Sequence, residues 1–138
     1  MKEDYQIIKV DQPEWAIIGG GVHNYNIQQA GEDNGNTFCF VLHGPDQEVL
    51  GGVIGATHWD WFYLDLMWIK EEFRCQGYGK RLLKLAEDEA RKLGAKKAYL
   101  DTFSFQAPDF YKKYGYEVFG ELQDFPVGHQ RYYLTKDL

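Results

Sequence analysis

The chain is poor in the residues that build covalent or metal frameworks. It has 138 residues and only two cysteines, Cys39 and Cys75. Neither stands in a CxxC pair or a Cys/His cluster, so neither a structural metal site nor a disulfide framework is expected. Scarce cysteine of this kind points to a reducing cytosol. No stretch offers 18 apolar residues in a row, and the segment from Met1 to Tyr5 lacks the apolar core of a signal peptide. No membrane span is therefore expected. Basic residues are outnumbered, 15 Lys and Arg against 21 Asp and Glu, for a formal charge of −6. A general nucleic-acid binder needs a basic face, so that class is excluded, and cationic partners such as amines are mildly favoured. Repeats, low-complexity tracts and linkers are absent as well.

What is present is a well-stocked interior. Hydrophobic residues make up 44% of the chain and aromatics 17%. This suits one domain spanning residues 1–138. Tyr5 to Val10 reads as a short strand. Pro13 marks the start of a helix to about Ala30, weakened by Gly19, Gly20 and Gly21. Residues 37–42, 48–58 and 61–69 read as three strands of an antiparallel meander. Residues 80–93 form the clearest helix, with Leu82, Leu83, Ala86, Ala90 and Leu93 on one face and Gly94 as a left-handed cap. Residues 98–103 read as a buried strand, 108–114 as a short helix, and 117–122 and 130–134 as two closing strands. A strand–helix–strand crossover makes one neighbouring pair parallel. The sheet should then be mixed, with helices on both faces.

Between the third strand and the best helix lies Arg74-Cys75-Gln76-Gly77-Tyr78-Gly79. Two glycines let the backbone bend close to a ligand, and the helix start supplies unpaired N–H groups and partial positive charge. Lys80 and Arg81 occupy the first helical turn, where cations are disfavoured unless an anion sits nearby. The arrangement suits a phosphate. Side chains that simply reach into water would explain the two cations equally well. The P-loop and the dinucleotide GxGxxG pattern are both missing.

These residues resemble the GNAT superfamily, the Gcn5-related N-acetyltransferases. Arg74, Gly77 and Gly79 match its acetyl-CoA motif, Q/R-x-x-G-x-G/A, and residues 67–73 match the strand and loop before it. Proline is frequent in the family where Lys70 or Glu71 stands. A second match, Tyr111 to Tyr116, is similar to the family's YxxxGF ending, with Ala107 fitting upstream. Ser104 stands where the family often has asparagine and keeps a hydrogen-bonding group there. The string from Leu100 to Ala107 is similar to a bacterial-type subgroup. The resemblance covers roughly residues 37–135.

The resemblance implies an α/β (α+β) fold. Its mixed, mostly antiparallel sheet of six to seven strands splays open between two parallel strands, here 61–69 and 98–103. It implies acetyl-CoA as co-substrate, with its arm beside Met67, Trp68 and Ile69 and its diphosphate on the amides from Gln76 to Arg81. Cofactor-binding residues would be Met67, Trp68, Ile69, Arg74, Cys75, Gln76, Gly77, Tyr78, Gly79, Lys80, Arg81 and Ser104. It implies direct attack by a bound amine, with Tyr111 as general acid for the departing thiolate. Asp65, on the same face as Met67 and Ile69 at a period of two, is the candidate base, or else binds the substrate ammonium. His58, Asp60 and Asp101 are weaker candidates. Cys75 sits near a helix start but has no adjacent histidine, and direct transfer needs no nucleophile. Trp59, Trp61, Phe62, Tyr63 and Trp68 divide between core and pocket wall. The acceptor expected is a primary amine of a small molecule. A protein lysine or N-terminus, or a sensor without turnover, are the alternatives. Many relatives are homodimers through their last strands, so a homodimer is open.

Overall fold

The computed structural model describes residues 4–138. They fall into two compact units, residues 4–33 and 34–138.

The first unit holds one helix, α1 (Trp15–Ala30), which starts two residues after Pro13 and ends at Gly31 in the left-handed region. It runs through all three glycines and buries none of its side chains. Residues 5–10 belong to no strand, contrary to the sequence expectation. A β-rich run becomes a strand only beside a neighbour that takes its N–H and C=O groups, which local composition alone does not supply.

The second unit is a single six-stranded sheet. Its strands are β1 (Asn36–His43), β2 (Val49–His58), β3 (Trp61–Ile69), β4 (Lys97–Phe103), β5 (Glu117–Gln123) and β6 (Gln130–Asp137), in the order β1-β2-β3-β4-β6-β5. All neighbours are antiparallel except β3 and β4. Six strands rather than seven follow from the missing strand at residues 5–10.

Helix α2 (Tyr78–Lys92) forms the crossover from β3 to β4. Leu82, Leu83, Ala86 and Ala90 form its buried face and pack with Val53, Phe62, Leu64, Leu100 and Leu134. The short helix α3 (Pro108–Lys113) adds Tyr111, and the chain beyond it adds Tyr116, to the same core. Pro108 opens that helix, where its missing N–H costs nothing. Glu87 is carried into this core by α2. It stays satisfied because Lys136 and the Tyr116 hydroxyl both reach it at 2.9 Å. Among the described residues, no helix is long and apolar enough to cross a membrane.

Two irregularities in this sheet create the site. The β3–β4 ladder has only three rungs, Trp61↔Lys97, Phe62↔Ala98 and Tyr63↔Tyr99. Beyond Tyr63 and Tyr99 the parallel strands part. On the other side of β3, pairing to β2 passes from Gly55↔Leu64 directly to Ile54↔Leu66. Asp65 is thus an extra residue, a β-bulge that bends β3 where the gap opens.

Candidate active site

The gap between β3 and β4 is a cleft of about 670 Å³. Strand alternation gives it two ends. On the α2 face lie Leu64, Met67 and Ile69 from β3, Thr102 from β4, and Tyr111. On the opposite face lie Tyr63, Asp101, Phe103 and Arg131, whose strand neighbours point into the core.

The bulge changes the count of faces. Before it, Phe62 and Leu64 are buried; after it, Met67 and Ile69 pack on the core while Leu66 and Trp68 are exposed. The sequence count grouped Asp65 with Met67 and Ile69 by strict alternation. That count fails at the bulge, because an inserted residue shifts the phase by one. Asp65 stands at the seam, exposed and lining the cleft.

At the α2 end the glycine turn is well formed. Cys75 has φ +61° and Gly77 has φ +86°, so two left-handed residues bend the chain into α2. A Cβ on Gly77 would meet nothing within 4 Å, and the space over this amide is open. Gly79 is tight for a different reason: a Cβ there would lie 3.3 Å from the Phe110 ring, so a larger residue needs that ring to give way. Among the described residues, no carbonyl accepts the amides of Gln76 to Lys80. The Arg74 side chain does not point at this turn. Its Nε donates to the Ile69 carbonyl at 2.8 Å, pinning the turn to the end of β3. Lys80 and Arg81 are exposed in the first turn of α2. Exposed amides, a helix start and two cations together fit a diphosphate.

The edge of β3 from Leu64 to Ile69 faces the gap, since its ladder to β4 has ended; apart from the Ile69 carbonyl, which accepts from Arg74, only its β2 side is held in a ladder. This edge can receive an extended amide-bearing chain as a further strand. Acetyl-CoA's pantetheine arm is such a chain.

Tyr111 lines the cleft with its ring buried, and burial pushes its hydroxyl pKa up to about 12. Among the described residues this hydroxyl makes no hydrogen bond, whereas the equally buried Tyr116 donates to Glu87. Ser104 lies outside the cleft lining. Its Oγ accepts the Gln130 amide at 3.1 Å, and its own amide donates to the Gln130 carbonyl. Gln106 takes the inner place instead: its Oε1 accepts the Phe103 amide and the Thr102 hydroxyl. Cys75 is exposed and free.

At the other end, Asp101 is fully engaged. Arg131 donates to its Oδ1 through Nε at 3.0 Å and Nη2 at 2.7 Å, and the Tyr63 hydroxyl donates to Oδ2 at 3.1 Å. Burial and the Asp101 charge raise the Tyr63 pKa to about 12. Asp65, by contrast, has no hydrogen bond or ion pair among the described residues. Sequence reasoning named Asp101 only weakly and missed Arg131. The only trace of their pairing is that both fall on one face of adjacent strands, which becomes visible once Asp101↔Tyr133 and Phe103↔Arg131 are in register. His58 and Asp60 lie outside the cleft. Trp59 and Trp61 wall a separate apolar hollow with His58, Tyr99 and Phe119.

Comparison with known proteins agrees with this geometry. The profile of the Acetyltransferase (GNAT) family matches residues 4–116. An acetyltransferase of Agrobacterium fabrum, Atu2258, is 35% identical over 112 residues, covering 81% of this chain and 82% of that protein. The blasticidin-S acetyltransferase of Streptomyces morookaense is 36% identical over 96 residues, covering 69% and 71%. The crystal structure of an acetyltransferase from Bacillus cereus superposes with a TM-score of 0.89 at 32% identity, over 97% of this chain and 98% of that one. The chain belongs to the GNAT family of acetyltransferases, enzymes that take their acetyl group from acetyl-CoA.

Proposed function

We propose that the protein acetylates a primary amine of a small molecule by direct attack in a ternary complex. The observation that carries this reading is the two-ended cleft. One end offers the amides of Gln76 to Lys80 and the unpaired edge of β3. The other offers Asp65 and an aromatic wall. Two substrates can enter from opposite faces and meet between the parted strands, so that binding alone brings the reacting atoms together.

Bound there, acetyl-CoA supplies a thioester whose carbonyl carbon takes the amine nitrogen as its C–S bond breaks. Met67, Trp68 and Ile69 hold the arm by main-chain hydrogen bonds, and the turn from Arg74 to Arg81 holds the diphosphate. Ser104 contributes at most the proton of its hydroxyl, since its oxygen is engaged. Asp65 attracts the acceptor's ammonium and takes up its proton, directly or through water; an alkyl ammonium has a pKa of about 10, so this step is needed near neutrality. Tyr111 stays protonated at every working pH and donates a hydrogen bond to the departing sulfur. With its pKa near 12 it is a weaker acid than a thiol, so full transfer of its proton is uphill unless the proton lost by the amine replaces it.

A relative named for blasticidin S, a small molecule, supports a small acceptor over a protein one. The exposed thiols of Cys39 and Cys75 suit a reducing compartment, and the cytoplasm is the proposed location. The test is a thiol-release screen over small amines and peptides. Turnover of small amines is expected. Turnover of peptides alone would assign a protein acetyltransferase, and silence throughout would assign a sensor.

A further inference from the structure

We propose that the acceptor carries a flat ring, bound on an aromatic rim at the cleft end opposite α2; this rests on the acetyl-transfer reading above. Phe103 and Phe105 stack at 5.2 Å with planes 11° apart, and both line the cleft. The hairpin between β5 and β6 brings two more rings to them. Phe125 lies 5.4 Å from Phe103, and His129 meets Phe105 nearly edge-on at 5.1 Å. The Arg131 guanidinium lies over Phe103 and Phe125 at 5.3 and 5.1 Å. Its charge is balanced by Asp101, which leaves this wall flat, polarisable and nearly neutral.

Even with these partners Phe105 remains 57% exposed and Phe125 42% exposed. Phenyl rings held in stacked order at the mouth of a cleft offer their open area to a planar group, which gains offset stacking as well as apolar burial. Asp65, in the same cleft and without a hydrogen bond or ion pair among the described residues, supplies the charge that the acceptor's ammonium needs. The acceptor class these features fit is a small primary amine joined to an aromatic or heteroaromatic ring.

The experiment compares 2-phenylethylamine with 2-cyclohexylethylamine as acceptors by thiol release. The saturated ring is the more apolar, so burial alone would favour it. The expected result is kcat/KM about three- to tenfold higher for the phenyl compound. Phe105→Leu should bring the ratio to about one, Phe105→Trp should keep it, and neither should alter the affinity for coenzyme A. Equal rates in the unmodified enzyme, or a ratio that survives Phe105→Leu, would overturn the proposal. Should neither amine turn over, calorimetric binding in the presence of coenzyme A reads the same ratio. A phenyl preference there upholds the rim and counts against acetyl transfer to amines; no preference overturns the rim. If Phe105→Leu instead dissociates a dimer in sedimentation and leaves the ratio unchanged, the rim joins two copies of the chain and the proposal fails.

Discussion

Tyr63 and Tyr99 stack at 4.8 Å on the last rung of the β3–β4 ladder, and the sheet opens beyond them. This pair is the hinge point of the cleft. It stands on the face away from α2, with the Tyr63 hydroxyl tied to Asp101 and the Tyr99 ring against Trp61 at 5.8 Å. The strands are thus clamped at one end and free at the other.

Tyr111→Phe should lower kcat about a hundredfold, the usual scale for losing a proton donor in the transition state. The ring stays buried, so the dissociation constant for coenzyme A should change little. Steady-state kinetics and calorimetry read the two quantities separately. An unchanged kcat would remove Tyr111 from the chemistry.

The two aspartates at the acceptor end should behave differently. Asp65→Asn should reduce kcat/KM for the amine at least tenfold with little change in stability, because the residue is exposed and makes no hydrogen bond or ion pair among the described residues. Asp101→Asn should lower stability by about 1–3 kcal/mol in urea denaturation, since it leaves the half-buried Arg131 cation without its balancing charge. Loss of activity in Asp101→Asn with full stability would reassign the base to Asp101.

Alkaline conditions should weaken the fold through its tyrosines. Burial raises Tyr111 to about 12, and burial with Asp101 raises Tyr63 to about 12, against 10 in an unfolded chain. A folded pKa above the unfolded one gives stability that is complete below pH 10 and is lost as pH rises from 10 to 12. The melting temperature should therefore be insensitive to these groups up to about pH 9 and fall steeply above 10. Tyr111→Phe should flatten that fall. Absorbance at alkaline pH should show a set of phenols ionising only with unfolding.

Much of this architecture was legible in the sequence. The meander, the helix of α2, strand β4 and the closing strands follow from local periodicity, and Gly94 does cap α2 in the left-handed region. Helix α2 starts at Tyr78 rather than at residue 80, because Tyr78 and Gly79 adopt helical geometry straight after the bend at Gly77. What could not be read is whatever depends on a distant partner. Residues 5–10 are rich in strand-forming residues, yet form no strand. The bulge at Asp65 has no sequence signature, since any residue can be the inserted one, and it upset the assignment of faces. The Asp101–Arg131 pair spans 30 residues and exists only through the β4–β6 register. The glycine turn was legible because its demands are local: a bend, a close approach and a helix start.

Coenzyme binding depends most heavily on the amides around Gly77, and calorimetry with acetyl-CoA on Gly77→Asp tests them most directly. Asparagine accepts left-handed geometry about as well as aspartate does, so Gly77→Asn serves as the neutral control for backbone strain and bulk. Binding should be at least a hundredfold weaker in Gly77→Asp, with a much smaller loss in Gly77→Asn, because the carboxylate would stand where the diphosphate must lie. Equal affinity in the unmodified protein and Gly77→Asp would contradict this.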